Sequence, residues 1–563
     1  MGRAAAVGAA VNALAFAAVL GVSFALTPHL IRELGKPSYD VWCVVEAVLA
    51  YFTLLDGGVA AGLVRVVARG TVTRDLAHVN AYASASLAVF LAAALVALAV
   101  GTPVLLALSP RLTGQAPDAV PFMLVMLVNL AITLPFSVYP AALDGLQRFT
   151  ARAAIRVAML AVRTAATLGV LATHASLLPL ALVFLATNLF EQTCYAVLCH
   201  AACPGLRLRP WAVERATLRH VRGESLDAFL AMLAGRVTLQ TGAIVVGVLL
   251  APGAATFFAT AVRLTEYAKQ LLRQVTTTLT PGVSALHARG DDAGIRDLVV
   301  TGTRWVLYAA LPVNVGLVLF SGPFLQRWVG VEFAGGSGPA ALILSGTLAL
   351  GLAQSVAARV LYGLGHLRVF ARAALLEGLV NVTLTALLVR PLGVEGVAVA
   401  VAVPNALFCL FVIAHTLRLL KLPLARYLRT WLRPLGVTLV PLGVWAALGP
   451  PAADWLALTA TVAAGLAPYF LCVAAAEYHS RAARTTAGGP ATPQPETPDD
   501  PTRFLALVRR ARRRAAGRKR PGAEGQGRLR ARQVAVRLRR PRAGHRRRDD
   551  DDPPHQARAD LRR

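Results

Sequence analysis

The chain has 563 residues, of which 56% are hydrophobic and 15% are charged. Soluble globular domains are about 45–50% apolar and about 25% charged, so this composition excludes a soluble enzyme, a fibrous protein and a mainly disordered chain. The formal net charge of +28 is typical of a membrane protein with arginine-rich cytoplasmic loops. We therefore expect membrane lipids and no nucleic acid among its partners.

Apolar stretches follow one another along most of the chain, and fourteen of them are long enough to cross a bilayer. A spanning helix needs about 20 mostly apolar residues. The stretches show no alternation of period two, so helices are favoured over a β-barrel. The predicted fold class is an all-α, polytopic inner-membrane protein. The predicted spans are 4–26, 41–64, 79–108, 118–143, 153–173, 177–199, 227–250, 254–284, 298–320, 338–362, 370–390, 394–417, 431–449 and 454–477.

The longest predicted cytoplasmic loop divides the first twelve spans into six and six. Two six-helix lobes with a substrate site between them are common in transporters. The predicted organisation is an N-terminal lobe at 1–200, an inter-lobe loop at 201–226, a second lobe at 227–420, an extra helix pair at 421–480 and a tail at 481–563.

Basic residues in the predicted loops give the orientation. One set of alternating loops holds 19 Lys and Arg residues and the other set holds 5. Because cytoplasmic loops carry the excess of basic residues, both termini are predicted to be cytoplasmic.

The tail at 481–563 differs from the rest of the chain. A linker rich in Pro, Gly and Thr is followed by arginine blocks and an acidic run. This composition cannot bury enough apolar surface to fold, which predicts a disordered cytoplasmic tail. The alternative is a polybasic segment that binds anionic lipid.

Six basic residues are predicted to lie deep inside spans, where an ionisable side chain costs at least about 2.5–3.5 kcal/mol. Those that share a span recur at helical spacing along one face. We expect them to line a mainly cationic cavity that binds the pyrophosphate of an anionic substrate, because arginine forms paired hydrogen bonds with phosphate. The alternative is pairing with carboxylates, such as Glu266, that only stabilises helix packing. The six are Arg156, Arg163, Arg236, Arg263, Lys269 and Arg273.

Four of the acidic residues within predicted spans are candidate sites for ion coupling, or are simply carboxylates satisfied by a neighbour. They are Glu46, Asp56, Glu191 and Glu377. Three further arginines lie near predicted cytoplasmic ends, where their side chains can extend to the headgroups. These are Arg304, Arg359 and Arg372.

The chain lacks the common catalytic and nucleotide-binding motifs. It contains no Gly-x-x-x-x-Gly-Lys-[Ser/Thr] loop, no His-Glu-x-x-His and no Gly-x-Ser-x-Gly. Cys199 and Cys203 have no second ligand pair nearby, so no zinc site is predicted. We expect no enzyme activity, no cofactor and no metal.

Five stretches in order along the chain resemble a known family, the Wzx-like oligosaccharide flippases (polysaccharide biosynthesis proteins) of the multidrug/oligosaccharidyl-lipid/polysaccharide exporter superfamily. Asp56 and Gly58 belong to one of them, a stretch similar to the signature of the family's second span. Asp40 departs from the family, which usually has Gly there. The stretches are 27–35, 54–65, 254–264, 363–365 and 392–398.

The resemblance implies a transporter that moves an undecaprenyl-pyrophosphate-linked oligosaccharide, a repeat unit of O-antigen or exopolysaccharide, from the cytoplasmic to the outer leaflet by alternating access. It also implies a polysaccharide polymerase and a chain-length regulator as candidate partners. The extra pair of spans resembles the family's fourteen-span members, including those that move peptidoglycan precursor.

Two other functions are compatible with the sequence. A cation-coupled drug or small-molecule antiporter of the same superfamily would have an acidic lumen. A membrane glycosyltransferase or ligase acting on a lipid-linked glycan would need catalytic residues on its outer loops, where the sequence offers few candidates.

Overall fold

The structure is a computed structural model that describes residues 2–486, except 57, 115, 212–225, 277–278 and 449–453. The predicted tail lies outside the described residues from 487 onward, and so does most of the predicted inter-lobe loop. The division into lobes stays a prediction.

The first part of the chain folds into seven helices, with a short 3-10 helix at Thr53–Asp56 between the first two. Aspartates cap two helices of the structure: Asp75 accepts a hydrogen bond from the His78 amide at 3.0 Å, and Asp291 accepts one from the Gly294 amide at 2.8 Å. The seven are α1 (Gly2–Phe52), α2 (Val59–Thr73), α3 (Leu76–Leu112), α4 (Ala119–Phe136), α5 (Val138–Gly145), α6 (Phe149–Thr173) and α7 (Leu177–Ala202).

The second part of the chain is also helical, and the described residues contain no strand. Its helices are α8 (Leu226–Leu249), α9 (Ala254–Thr276), α10 (Leu279–His287), α11 (Asp292–Trp328), α12 (Val331–Gly336), α13 (Gly338–Gly346), α14 (Leu348–Leu364), α15 (Leu367–Leu419), α16 (Leu424–Leu448) and α17 (Trp455–Thr486).

Helix α1 is too long to be a single span. Its 51 residues would extend about 76 Å at 1.5 Å per residue, whereas a bilayer with its headgroups is about 40–45 Å thick. Gly35 interrupts the helix with φ 74° and ψ 158°, a conformation that glycine adopts at little cost. We therefore treat α1 as two arms, a first arm at 2–34 and a second arm at 36–52.

Helix α15 is divided in the same way at Gly393, where φ is 56° and ψ is −135°. Its two arms lie side by side, since the Asn381 side-chain amide donates to the Ala400 carbonyl oxygen at 3.0 Å. The Asn405 side-chain amide likewise donates to Glu377 Oε1 at 2.9 Å. We call the segments at 367–392 and 394–419 the first and second arms of α15.

Eleven helices in the described part of the chain are long enough and apolar enough to cross a membrane. Counting each arm of α1 and α15 separately and adding the more highly charged α9 gives fourteen segments, as the sequence predicts. Many large apolar side chains on these helices point outward, such as Leu95, Leu387 and Leu456. The prediction of an all-α, polytopic membrane protein is confirmed.

The last helix, α17, packs on α11 through a buried polar contact. The Arg304 Nε lies 3.5 Å from Glu477 Oε1, and both side chains are at most 10% exposed. The Tyr469 hydroxyl donates to the Tyr308 carbonyl oxygen at 2.7 Å. The prediction that Arg304 extends to the headgroups is therefore wrong. Its partner, Glu477, lies in the last span, too far along the sequence for a local pattern to indicate the pairing.

Candidate functional site

A cavity of about 360 Å³ lies where the second arm of α1, α8 and α9 meet. The second arm belongs to the first part of the chain and the two helices to the second part, so residues far apart in sequence share one space. Its polar and charged lining residues are Glu46, Arg236, Gln240, Arg263, Glu266 and Gln270.

Arg263 is held in this cavity by two partners from the second arm of α1. One terminal nitrogen of Arg263 lies 2.8 Å from Glu46 Oε2, and the other donates to the Tyr39 hydroxyl. The guanidinium carbon also lies 5.4 Å from the centre of the Tyr39 ring, within the range of a cation–π contact. Tyr39 is fully buried, so it fixes the arginine from the protein side, while Glu46 faces the cavity.

Arg236 differs from Arg263, because it forms no ion pair or hydrogen bond with the described residues. It is half-buried on α8 and lines the same cavity. Lys269 lies near the cavity on α9 and donates to Glu266 at 3.0 Å, while Arg273 lies one turn further along and is exposed. Arg236 is thus a cavity-lining cation with no carboxylate partner in the part of the chain that the structure describes.

The charge of the cavity lining differs from the mainly cationic one that we expected. Two arginines, Arg236 and Arg263, face two glutamates, Glu46 and Glu266. Lys269, bonded to Glu266, adds one further positive charge beside the lining. The sequence places Glu266 between Arg263 and Lys269 on one helix face; the structure pairs it with Lys269 and pairs Arg263 with Glu46.

The two arginines of the predicted span 153–173 do not line this cavity. Arg163 on α6 lies 3.1 Å from Glu191 on α7, and its Nε donates to the Thr187 hydroxyl at 3.0 Å. The Tyr195 hydroxyl donates to the other oxygen of Glu191 at 2.8 Å. Arg156 is exposed and lines a separate cavity of about 240 Å³ that also includes Asp144 and Arg152.

The remaining acidic candidates lie apart from one another. Asp56 Oδ1 accepts a hydrogen bond from the Ala60 amide at 3.1 Å, near the start of α2. Glu377 is buried between the two arms of α15 and is bonded to Asn405. Of the four predicted coupling carboxylates, Glu46 alone is placed with the cavity arginines.

A cluster of contacts joins the first and second parts of the chain at the end of the helices that is predicted to face outward. The buried carboxylate of Asp40 accepts hydrogen bonds from the amides of Gly253 and Thr256 at the start of α9. Lys36 lies 2.6 Å from Glu332, and the Trp328 ring nitrogen donates to the Phe24 carbonyl oxygen at 2.9 Å.

We call this cluster the outer junction. It lies on the predicted outer side of the cavity lining, along the same second arm of α1 and the same α9. Sequence analysis missed it, although the replacement of the family's usual glycine by Asp40 was a signal. Without Asp40 the first amides of α9 would lack this side-chain acceptor.

Several solved structures of transport proteins share this fold. The chain is similar to the lipid II flippase MurJ in its inward closed conformation, with a TM-score of 0.66 and 13% identity over 84% of this chain and 99% of the other. It is also similar to a multidrug resistance MATE family transporter of the MOP superfamily. The inward-facing form gives a TM-score of 0.61 and 16% identity over 72% of this chain and 94% of the other.

The outward-facing form of such a transporter gives a TM-score of 0.54, with 16% identity over 74% of this chain and 96% of the other. At these identities the likeness concerns the fold alone. A search of the curated proteins finds no match.

Residues 45–335 match the family described as polysaccharide biosynthesis protein. The match covers more than half of the chain, and the chain belongs to this family. It includes Glu46 and the cavity residues on α8 and α9, whereas Lys36 and Asp40 of the outer junction lie before its first residue. The family match confirms the resemblance to polysaccharide biosynthesis proteins found in the sequence, and the fold agrees with it.

Proposed function

We propose that the protein moves an undecaprenyl-pyrophosphate-linked oligosaccharide from the cytoplasmic to the outer leaflet of a bacterial inner membrane by alternating access. The observation that carries the proposal is the charged cavity between parts of the chain that are distant in sequence. Membership of a polysaccharide biosynthesis family supports a glycan as the cargo, and the name of the neighbour MurJ, a lipid II flippase, agrees with a lipid-linked one.

Arg236 and Arg263 are the residues that we assign to the pyrophosphate. A pyrophosphate that leaves water loses its hydration, and charge-assisted hydrogen bonds from guanidinium groups offset that loss. Since none of the described carboxylates pairs with Arg236, it can take the first contact. Arg263 offers the second contact on the facing helix, oriented by Tyr39.

Glu46 gives this cavity a means of coupling substrate binding to the binding of a cation. When the pyrophosphate binds Arg263 it competes with Glu46 for the same nitrogen, since the two anions cannot both lie within hydrogen-bond range without repulsion. A displaced Glu46 would be stabilised by taking up a proton or a sodium ion. Substrate binding and cation binding would then be linked through Arg263. Asp56, Glu191 and Glu377 are weaker candidates, because they lie apart from the arginines.

The outer junction provides the barrier that alternating access needs. In this structure it joins the two parts of the chain on the predicted outer side of the cavity, so its contacts must break for release into the outer leaflet. A transport step of this kind exchanges one set of contacts between packed elements for another.

The orientation of the chain is part of this proposal, and labelling can test it. In a background without the native cysteines, single cysteines at the exposed residues Val72 and Val331 should react from opposite sides, Val72 from the cytoplasm and Val331 from outside. Labelling of both from the same side would contradict the assigned topology. A polysaccharide polymerase and a chain-length regulator remain proposed partners.

Transport can be measured with the purified protein in proteoliposomes that contain a labelled undecaprenyl-pyrophosphate-linked oligosaccharide. Flipping makes the glycan accessible to a glycosidase on the far side of the bilayer. We expect transport by the wild type and its loss in the double variant Arg236→Ala with Arg263→Ala. Transport that proceeds equally in the double variant, at equal reconstitution, would overturn the assignment of the cavity.

A further inference from the structure

A second cavity of about 500 Å³ runs along the outward face of α15, between its two arms. On the first arm its lining recurs every three or four residues, the spacing of one helix face. The second arm contributes a similar stripe that begins at Pro404. Apart from Arg372 and Glu377, every lining residue is apolar, and Phe408 and Phe411 supply aromatic rings. We call this cavity the α15 groove.

The α15 groove is separate from the charged cavity, and no lining residue is common to the two. Side chains on its borders are open to the surroundings: Leu407 is 60% exposed and Phe411 is 47% exposed. In a membrane this face meets the lipid. An apolar compound dissolved in the bilayer can therefore reach the groove without crossing water.

Glu377 is the unusual residue of this groove, because its carboxylate lies among apolar side chains and is only 9% exposed. One oxygen accepts the hydrogen bond from Asn405, and the other accepts none from the described residues. Lys269 acts electrostatically on Glu377 but is bonded to Glu266. A carboxylate at membrane depth is costly and marks a functional site by default.

Arg372 also lines the groove, but it lies five residues before Glu377, which is about 7.5 Å nearer the end of the helix. It is exposed, so its side chain can turn toward the headgroups. The deeper part of the groove therefore has a negative charge and aromatic walls. This combination disfavours an anionic lipid and favours a cation with an apolar body.

We propose that the α15 groove binds lipophilic organic cations, with the positive charge beside Glu377 and the apolar groups against Phe408, Phe411 and Leu407. A volume of about 500 Å³ is within the roughly 300–1,000 Å³ of pockets that hold drug-sized ligands. Aromatic faces attract cations, and a delocalised organic cation loses little hydration on entering the membrane. This binding site is independent of the proposed glycan transport.

Two probes of the same shape and opposite charge test the proposal: tetraphenylphosphonium and tetraphenylborate. Each would be titrated against the purified full-length protein in nanodiscs by equilibrium binding. We expect saturable binding of the cation, weakened about tenfold or more by Glu377→Gln. The substituted glutamine can still accept the Asn405 hydrogen bond, so the change removes the charge with little loss of packing. Glu395→Gln, at an exposed acidic residue of the same helix outside the groove, is the matched control and should change nothing.

Leu407→Trp gives a second test that leaves Glu377 in place. The larger ring should fill the groove and abolish binding of the cation even if Glu377→Gln folds poorly. Equal binding of both probes, or tetraphenylphosphonium binding unchanged in Glu377→Gln, would reduce the groove to a general site for acyl chains and overturn the proposal. Loss of cation binding in Glu46→Gln, with Glu377→Gln unaffected, would place the cation in the charged cavity and would also overturn it.

Discussion

Two of the arginine–glutamate pairs in the membrane-spanning part of the chain have different surroundings. Arg163 and Glu191 join α6 to α7 at 3.1 Å, whereas Arg263 and Glu46 join α9 to the second arm of α1 at 2.8 Å. The Glu191 side chain is 15% exposed, and that of Glu46 is 57% exposed.

The partners of the two carboxylates explain the difference. Glu191 accepts a further hydrogen bond from Tyr195, so both of its oxygens are used within the protein. Glu46 faces the cavity, and the supporting tyrosine, Tyr39, contacts the arginine instead. The first pair is therefore suited to holding two helices together, and the second to exchanging its carboxylate for another anion. The same two residue types give a packing contact in one place and a candidate binding site in the other.

The largest expected effect concerns the packing pair. Arg163→Ala would leave Glu191 without its cation, and breaking a buried pair costs about 3–5 kcal/mol; since Arg163 is partly exposed, we expect about 2–3 kcal/mol. The temperature of thermal unfolding in detergent and the amount of membrane-inserted protein should both fall. Exchanging the charges, with Arg163→Glu and Glu191→Arg together, should restore much of the stability. Normal stability with lost transport would mean that Arg163 contacts the substrate after all.

A loss of transport without a loss of protein is expected for the cavity pair. Arg263→Ala removes a charge-assisted hydrogen bond worth roughly 1.5–3 kcal/mol, so transport per membrane-inserted molecule should fall about tenfold or more. Arg263→Lys should recover part of it, because lysine keeps the charge but lacks the planar fork. If Arg263→Ala lowers abundance and leaves transport per molecule unchanged, the two pairs serve the same purpose and the comparison fails.

The smallest expected effect comes from Glu46→Gln, which frees Arg263 from its competing anion. Affinity for pyrophosphate should rise about three- to tenfold, the equivalent of about one hydrogen bond, and can be measured by calorimetry on the purified protein. Glu191→Gln is the matched control, since it should lower stability and leave this affinity alone. A weaker affinity in Glu46→Gln would show that the carboxylate helps to hold the ligand rather than competing with it.

The fold was largely predictable because the bilayer constrains it strongly. Backbone groups cannot remain unpaired in hydrocarbon, so apolar stretches of spanning length become helices. The fourteen predicted segments correspond to helices or helix arms of the structure. The breaks in α1 at Gly35 and in α15 at Gly393 fall between predicted spans, where glycine permits the non-helical conformation.

The site was less predictable, because its contacts join residues that are far apart in sequence. Helical spacing placed Arg263, Glu266 and Lys269 on one face. It could not show that Arg263 forms its ion pair with Glu46, which lies more than two hundred residues earlier. Arg163 and Arg236 looked equivalent in the sequence. In the structure Arg163 forms an ion pair with Glu191, whereas Arg236 has no carboxylate partner among the described residues. The assigned roles stay predictions, and the contacts of Asp40 required the structure.

Binding of undecaprenyl pyrophosphate to the purified protein is the most direct test of the central claim, that Arg236 and Arg263 together hold the pyrophosphate. Equilibrium binding would compare the wild type with Arg236→Ala, Arg263→Ala and, as the matched control, the exposed Arg156→Ala. We expect about a tenfold or greater loss of affinity for each cavity variant and no change for Arg156→Ala. Wild-type affinity in both cavity variants would contradict the account.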